Sequence, residues 1–242
     1  MLGWLGVAFA LALWELAPRL GVVRSQSLPP FSRVAGEAVD VLGRPEFFDA
    51  LGATAWRCFA GLALAVAVGV PLGLVMGRSR LVHALVDPLL VAAYPVPKAA
   101  LILLFVLWWG AGEASRIAIV VVGCLIPLVI AAYHGARAAP PVLVWSARGL
   151  GVRGWRVIGP AALPQVLSGL RIAIALAIFT ALASELLIRG SGVGSLLFTA
   201  LDNGQTVTVF AVSSLVALLG AGLDAVYVLA VRRALPWFEG EV

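Results

Sequence analysis

Long apolar runs separated by short polar stretches dominate the pattern of hydrophobic and polar positions along the chain. A helix needs about 20 predominantly apolar residues to cross the hydrocarbon core of a bilayer. The runs therefore predict an all-α, polytopic membrane protein with about six spanning helices. We place these spans at about 2–17, 50–76, 98–110, 116–134, 164–188 and 206–231.

The composition supports a membrane protein rather than a soluble one. Hydrophobic residues make up 62% of the chain and charged residues 12%, whereas soluble domains average about 45–50% and about 25%. The net charge is +5, but the arginines are spread along the loops, as membrane orientation requires. This spread does not indicate a nucleic-acid partner, and lipid is the predicted surrounding of the chain.

One stretch between two spans, which we call the basic loop (137–164), sets the predicted orientation. It contains Arg148, Arg153 and Arg156, and no acid occurs between Glu113 and Glu185. Loops rich in arginine face the cytoplasm, so the basic loop is predicted to lie inside the cell. Six spans then place both termini inside as well.

The first long connection is predicted to be an outer loop. Residues 18–47 are rich in proline, and their arginines are partly balanced by acids. This loop divides the chain into an N-terminal part, 1–47, and a core, 48–242.

Prolines and glycines predict the other connections. Pro95 and Pro97 interrupt the apolar pattern, so a broken or interfacial helix is expected there, with the third span beginning before them. A tight outer turn is expected at 110–115, and a Gly/Ser-rich outer segment at 189–205.

Small residues recur at every fourth position in the second and fifth predicted spans. Lipid gives no hydrophobic driving force between helices, so such stripes mark faces where backbones pack closely. They predict tight contacts, either within the chain or across a dimer. Their members are Gly61, Ala65, Gly69, Gly73 and Gly77 in the second span, and Gly169, Ala173, Ala177 and Ala181 in the fifth.

Few residues are able to carry chemistry. No GxxxxGK[ST] loop occurs, which excludes ATP binding by a P-loop, and the only lysine is Lys98. His83 and His134 have no carboxylate or cysteine at ligand spacing, so neither a metal site nor a catalytic base is predicted. Trp108 and Trp109 fall near a predicted interface, as aromatic belts do.

Glu185 is the most informative acid, because it continues the small-residue stripe of the fifth span. A charged side chain at the bilayer centre costs about 2.5–3.5 kcal/mol unless it is paired or hydrated. Glu185 is therefore expected to face the bundle and to pair with Arg57 across it, or with Arg189 one turn on. The alternative is a shallow residue whose side chain extends to water. Asp224 in the sixth span is as consistent with a polar break in the helix as with a site.

Glycines and prolines shape the basic loop. Each glycine disfavours a continuous helix by about 1 kcal/mol, and the prolines are expected to stop a helix from running into the fifth span. We predict two short helices, at about 141–148 and 153–159, joined at a glycine bend. Such a unit suits either anchoring on lipid headgroups or docking of a soluble partner. The residues concerned are Gly149, Gly151, Gly154, Pro160 and Pro164.

The spacing within the basic loop resembles the coupling ("EAA") motif in permease subunits of bacterial ATP-binding-cassette (ABC) importers. That motif is a Glu-Ala-Ala triplet, a glycine four residues past it and, after nine residues, an aliphatic-x-Leu-Pro ending. Trp145 replaces the glutamate, so docking is expected to rely on shape, apolar contact and arginines. The matching residues are Trp145-Ser146-Ala147 at the triplet, Gly151 at the glycine and Ala161-Ala162-Leu163-Pro164 at the ending.

The likeness extends over nearly the whole chain, which resembles the nitrate/sulfonate/taurine-type permeases of this class. The matching segments include Leu13-Trp-Glu-Leu16, Leu28-Pro-Pro30, Thr54-Ala-Trp-Arg57, Gly69-Val-Pro-Leu-Gly73, Tyr94-Pro-Val-Pro97, Trp109-Gly-Ala-Gly-Glu113, Ala183-Ser-Glu185 and Gly192-Val-Gly194.

The resemblance implies the pore-forming subunit of an ATP-driven importer, with the type I importer permease fold, in the bacterial inner membrane. It implies a second permease copy, two ATPase subunits that bind ATP and Mg, and an extracytoplasmic binding protein. The implied solute is a small anion such as nitrate, a sulfonate, taurine or bicarbonate, and a vitamin precursor is the alternative. The chain itself would bind no cofactor and catalyse no reaction.

The resemblance also implies roles for particular residues. ATPase docking is expected in coupling helices at 141–159, through Trp145, Ser146, Ala147, Arg148, Gly151, Val152, Arg153, Trp155 and Arg156. Structural roles are expected for Leu163, Pro164, Gly69, Gly73 and Gly77. We further expect the solute path or its gate near Glu185, Arg57, Tyr94 and Pro95.

Two other classes fit parts of the pattern. A membrane-embedded enzyme would need an intramembrane nucleophile with a base, or a metal set, and the two histidines lie far from any such partner. A self-contained secondary transporter or channel fits six spans and a lone Glu185 but would not need the coupling motif.

Overall fold

The computed structural model describes residues 2–151 and 154–234, and these residues form ten helices and no strand. The helices are α1 (Leu2–Arg19), α2 (Phe31–Leu42), α3 (Pro45–Arg78), α4 (Arg80–Ala93), α5 (Lys98–Trp109), α6 (Glu113–Ala138), α7 (Pro141–Gly149), α8 (Trp155–Leu187), α9 (Val193–Asp202) and α10 (Thr206–Ala234). The all-α prediction is confirmed.

Four helices in the described part of the chain are long and apolar enough to cross a membrane: α3, α6, α8 and α10. They correspond to the second, fourth, fifth and sixth predicted spans. The first and third predicted spans fall on α1, with 18 residues, and α5, with 12. At 1.5 Å per residue α5 is about 18 Å long, so by itself it crosses only part of the ~30 Å hydrocarbon core.

The glycine stripe of the second predicted span lies against α6 along its length. A Cβ added at Gly61 would meet the side chain of Val120 at 2.5 Å, and one at Gly73 would overlap the carbonyl oxygen of Val129 and approach Ala132 Cβ to 2.7 Å. The backbones of α3 and α6 thus come close because the stripe has no side chains. Within the chain, the predicted contact face is confirmed.

The second stripe packs in the same way on the other side of α6. A Cβ at Gly169 would overlap the Cβ of Ala131, and Ala173, Ala177 and Ala181 are at most 1% exposed. Helix α6 is therefore held between α3 and α8, and the main apolar core lies along these three helices.

Gly73→Ala is expected to lower the unfolding free energy of the protein by about 1–3 kcal/mol, the usual range for overpacking. The new methyl group would meet a carbonyl of α6, which cannot rotate away as a side chain can. Gly52→Ala in the same helix is the matched control, since nothing lies within 4 Å of its added Cβ. The control should stabilise by about 1 kcal/mol through helix propensity, and thermal unfolding in detergent compares the two variants. Equal shifts for both would contradict close packing at Gly73.

The segment 18–47, predicted to be a loop, contains the helix α2. Pro30 is the N-cap of α2, and Pro45 is the first residue of α3, a position that proline favours. Pro18, in contrast, lies inside α1, one residue before its end. Val34 and Val41, which lie seven residues apart and hence on one helix face, are buried. The Glu37 carboxylate accepts a hydrogen bond from Thr208 at 2.9 Å, which ties α2 to α10.

The third predicted span begins after the prolines and not before them. Helix α4 ends at Ala93, and α5 begins at Lys98, with Pro97 as its N-cap. Pro88 lies inside α4. The prediction of a broken helix is confirmed, whereas the early start of the third span was wrong, because Pro95 and Pro97 have no backbone N–H with which to continue the helical hydrogen bonds.

Pro160 and Pro164 were expected to break the chain ahead of the fifth span, but both lie inside the continuous 33-residue helix α8. Membrane helices tolerate proline where neighbouring groups support the freed backbone. Here α6 lies so close that a Cβ at Gly135 would meet the Ala162 carbonyl at 2.8 Å. The Ser168 hydroxyl also donates to the Pro164 carbonyl at 3.0 Å. The start of the basic loop's second helix is thus one rigid body with the fifth span.

The outer segment at 189–205 contains helix α9 rather than only a flexible loop. Its glycines lie at the start: Gly192 is the N-cap, with φ +108°, and Gly194 is buried in the first turn. Glycine thus permits the tight reversal between α8 and α9 and the close approach of the two helices.

Candidate functional site

A buried ion pair joins α3 and α8 at their outer ends. The Glu185 carboxylate lies 2.5 Å from Arg57 Nη1, and the two side chains are 0% and 1% exposed. The pairing of Glu185 with Arg57 is therefore observed. The alternative partner, Arg189, instead lies over the ring of Phe198 at 4.3 Å, so that expectation was wrong.

Glu185 receives further hydrogen bonds from neutral groups. The Thr54 hydroxyl lies 2.9 Å from both carboxylate oxygens, and the Gly194 backbone N–H donates to one of them at 2.9 Å. The same hydroxyl accepts from the backbone N–H of Val193 at 2.9 Å. These bonds attach the first turn of α9 to the ends of α3 and α8.

Arg57 uses all five of its N–H groups. It forms a bidentate pair with Glu113, through contacts of 2.9 and 2.6 Å, and donates to the Ser191 carbonyl at 2.8 Å and to its hydroxyl at 2.6 Å. The fifth N–H goes to Glu185. A planar guanidinium fits this bidentate arrangement, and a lysine would not.

Arg116 closes the cluster on the α6 side. Its Nη2 donates to the carbonyls of Ile188 and Arg189 at 3.1 and 3.0 Å, where α8 ends, and its Nη1 contacts Glu113 at 3.0 Å. We call the whole set the outer ion network. Its members are Thr54, Arg57, Glu113, Arg116, Glu185 and Ser191.

Two arginines and two glutamates balance the charge of the outer ion network, which makes it a lock between helices rather than an ion-binding site. It fastens α3, α6, α8 and α9 at one end of the bundle. The sequence pointed to Arg57 and Glu185 but missed Glu113, Arg116, Thr54 and Ser191. The available signal was the pair of short motifs around them, Trp109-Gly-Ala-Gly-Glu113 and Gly192-Val-Gly194. Whether Arg57 and Glu185 act as a gate stays a prediction.

A second ion pair links α8 to α10. Arg171 and Asp224 form a bidentate pair with both contacts at 2.7 Å, and the Tyr227 hydroxyl donates to the Leu167 carbonyl at 2.8 Å. Helix α10 continues unbroken through Asp224. Of the two interpretations of Asp224, a polar break is therefore excluded.

The basic loop forms a compact unit at the opposite, inner end. Helix α7 agrees with the first of its two predicted helices, and Gly151, with φ +74°, makes the bend before α8. Val144 and Ile158 are 1% and 3% exposed and pack with Ala136 and Ala139 at the end of α6. The unit is thus fixed to both α6 and α8.

Large apolar side chains point outward from this unit. Trp145 is 66% exposed, Leu150 82% and Trp155 52%. Ser146, Gly151 and Arg156 are exposed as well, and Ala147 is part-buried. Val152, Arg153 and the side chain of Arg148 lie outside the part of the chain that is described.

A cavity of about 590 Å³ lies beside the basic loop, between it and the junction of α3 and α4. Arg78, Arg80 and Arg137 line it, together with Trp155, and no acid is among its lining residues. The inner end therefore offers aromatic and cationic groups side by side.

Tyr94 and Pro95 lie at the turn between α4 and α5, where they line a cavity of about 560 Å³ with His83 and His134. The ring of His83 is tilted against that of Tyr133 at a centroid distance of 5.1 Å, and the ring of His134 meets Tyr133 edge to face at 5.2 Å. No group of three or more metal-binding side chains occurs among the described residues.

The bundle of long apolar helices, with the ion network at one end and the basic loop at the other, defines a polytopic membrane protein. Comparison with known proteins gives the family. Residues 69–235 match the family described as binding-protein-dependent transport system inner membrane component. The chain belongs to this family, and it is the permease component of an ABC importer, with the type I permease fold, in the inner membrane.

Individual relatives match almost the whole chain. The taurine transport system permease protein TauC of Escherichia coli is 31% identical over 98% of this chain and 89% of its own length. The aliphatic sulfonates transport permease protein SsuC of Bacillus subtilis is 32% identical over 99% and 90%. The formylaminopyrimidine transport permease protein ThiX of Halalkalibacterium halodurans is 31% identical over 94% and 92%. Permeases of this family are not themselves catalytic, and they work with ATPase and binding-protein partners.

Proposed function

We propose that two copies of this chain form the pore of an importer for a small sulfonate or a related small anion. A binding protein delivers the solute at the outer face, and two ATPase subunits, which bind ATP and Mg, drive the transport cycle from the cytoplasm. The sulfonate class is supported by the names of two relatives that match the chain almost end to end. We keep the division into an N-terminal part, 1–47, and a permease core, 48–242, as part of this proposal.

The observation that carries the ATPase contact is the exposed surface of the basic loop. Trp145, Leu150 and Trp155 lie at the predicted cytoplasmic end of the bundle, where lipid tails do not cover them. Large exposed apolar groups rimmed by cations are typical of protein interaction sites. In the proposed complex they insert into a groove of the ATPase, and Arg156 and the arginines of the neighbouring cavity meet its acidic residues.

Continuity of helix α8 explains how docking would drive transport. The basic loop is fused to α8, which runs for 33 residues to the outer ion network. A rigid helix of this length carries a displacement at its inner end to its outer end. The ATPase states must bind the loop differently, since a ligand that binds both states equally shifts nothing.

Replacing Trp145 and Trp155 together with alanine is expected to weaken ATPase binding at least about tenfold, because aromatic anchors are common hot spots of 2 kcal/mol or more. Trp108→Ala is the matched control, since Trp108 is 59% exposed at the outer end of α5. Co-purification of the ATPase with each variant, together with ATP-driven uptake in proteoliposomes, measures the effect. Equal ATPase recovery from all three proteins would refute docking through this loop, and uptake without any ATPase would point to a secondary transporter.

The solute class has one specific rival. The formylaminopyrimidine permease matches the chain with 31% identity, close to that of the sulfonate permeases. Thermal stabilisation of the cognate binding protein by taurine or an alkanesulfonate would support the proposed class. If formylaminopyrimidine stabilises the binding protein and the sulfonates do not, the proposed solute class is wrong and formylaminopyrimidine takes its place.

A further inference from the structure

A cavity of about 590 Å³ opens on a face of the bundle formed by α5, α6 and α8. We call it the membrane-face cavity. Apolar residues form much of its wall, but five polar side chains also line it: Tyr94, Lys98, His134, Gln165 and Ser168. Tyr94, His134 and Gln165 are exposed in the single chain, and Lys98 and Ser168 are part-buried.

The depth of this cavity follows from helix lengths. Lys98 lies eleven residues before Trp109, the outer end of α5, or about 17 Å below it at 1.5 Å per residue. Gly123 on α6 lies ten residues, or about 15 Å, below Glu113, and Ser168 on α8 lies nineteen residues, or about 29 Å, below Leu187. In a hydrocarbon core about 30 Å thick, the cavity therefore reaches from the middle of the membrane to its inner side.

A polar face at this depth cannot face lipid tails without a large free-energy penalty. Ionisable residues inside membranes line aqueous paths or pair with each other. Lys98 forms no ion pair with any residue in the described part of the chain. No acid occurs on α6 below Glu113 or on α8 before Glu185, so neither long wall offers a counter-ion. No acid lines the membrane-face cavity itself, and Asp87 lines the adjoining cavity, which shares Tyr94 and His134 with it. The face thus has the chemistry of a water-filled path with a positive charge that forms no ion pair.

The start of α5 adds to the positive potential at the same place. Lys98 is the first residue of the helix, and its N-cap, Pro97, makes no side-chain cap hydrogen bond. Free backbone N–H groups at a helix start favour anions. Broken membrane helices that begin near the midplane aim this end at anionic solutes in other transporters.

We propose that the membrane-face cavity is a transit site for the anionic group of the solute, with Lys98 as the charge that attracts it and Gln165 as a hydrogen-bond donor. This inference rests on the proposed importer function and adds the residues of this chain that would contact the anionic group of the solute. It also assigns a role to the only lysine of the chain.

Uptake measures the role of Lys98 in transport. The complete importer in proteoliposomes, supplied with its binding protein and ATP, should take up labelled ethanesulfonate. Lys98→Met should reduce uptake at least about tenfold, and Lys98→Arg should keep most of it, because a charge-assisted contact is lost in the first variant only. Uptake by Lys98→Met close to the wild-type rate would overturn the transit site while leaving the importer function intact. Failure of the wild type to take up any sulfonate would instead overturn the proposed solute class.

A second readout does not depend on transport. Because Lys98 is the only lysine in the chain, an amine-reactive reagent modifies one side chain in this subunit, and mass spectrometry of its peptide follows the rate. Ethanesulfonate should slow the modification of Lys98 in the assembled complex, and its neutral analogue ethanol should not. A modification rate that is the same with and without ethanesulfonate would overturn the proposed anion site.

Discussion

Arg57→Met is expected to lower the unfolding free energy by about 3–5 kcal/mol, the range for removing one partner of a buried ion pair. The substitution leaves the Glu185 carboxylate, which is 0% exposed, without its cation. It also leaves Glu113 and the Ser191 carbonyl without donors that now lie 2.6–2.9 Å away. Thermal or denaturant unfolding in detergent measures the loss. Arg44→Met is the matched control, because the Arg44–Glu37 pair is 50% and 22% exposed and such surface pairs contribute about 0–1 kcal/mol.

The double substitution Arg57→Met/Glu185→Met separates the cost of an unpaired charge from the value of the pair. Replacing both partners of a buried pair by apolar groups is often close to neutral. The double variant should therefore unfold closer to the wild type than Arg57→Met does. If the stability losses of the single variants Arg57→Met and Glu185→Met add up to the loss of the double variant, the two side chains are not coupled and the network does not act as a lock.

The same double variant tests whether Glu185 and Arg57 form part of a gate. A stable double variant that still binds the ATPase but no longer couples ATP hydrolysis to uptake would show that the pair holds one transport state. Full uptake by this variant would restrict the pair to a structural role. The two outcomes are distinguishable because stability and uptake are measured on the same protein.

The helices that pack face to face were predictable from the sequence, because their signals are local. Apolar runs give the positions of α6 and α10, and the four-residue spacing of Gly61, Ala65, Gly69, Gly73 and Gly77 gives the contact face of α3. Glu185 was identifiable because a charge on such a face needs a partner inside the bundle. Arg57 was one of the two candidate partners, with Arg189, that the sequence offered for Glu185.

The other contacts depend on tertiary packing and could not be predicted in this way. Pro160 and Pro164 break helices by local rules, yet the support of α6 keeps α8 continuous through both. The outer ion network joins residues that are 56 and 128 positions apart, and no periodicity within a single helix indicates such pairs. The membrane-face cavity likewise arises only when α5, α6 and α8 come together.

Gly192→Ala is expected to destabilise the reversal between α8 and α9 by several kcal/mol, through two separate effects. Gly192 has φ +108° and ψ 164°, a region essentially restricted to glycine, where other residues cost about 1–3 kcal/mol. A Cβ at this position would also overlap the carboxyl group of Glu185. The methyl group would push that carboxylate away from Arg57 and Thr54, so the outer ion network would lose bonds in addition to the backbone strain.

Gly204→Ala separates these two effects. Gly204 also has a positive φ, +69°, but nothing lies within 4 Å of its added Cβ, so this variant carries backbone strain alone, about 1–2 kcal/mol. Gly192→Ala should therefore lose more stability than Gly204→Ala when both are unfolded in detergent. Adding Glu185→Ala to each variant completes the comparison, because shortening the carboxylate side chain removes the overlap. In the Glu185→Ala background, the stability loss caused by Gly192→Ala should become smaller, and the loss caused by Gly204→Ala should stay the same. If Glu185→Ala changes neither loss, Gly192 is needed for its backbone conformation only.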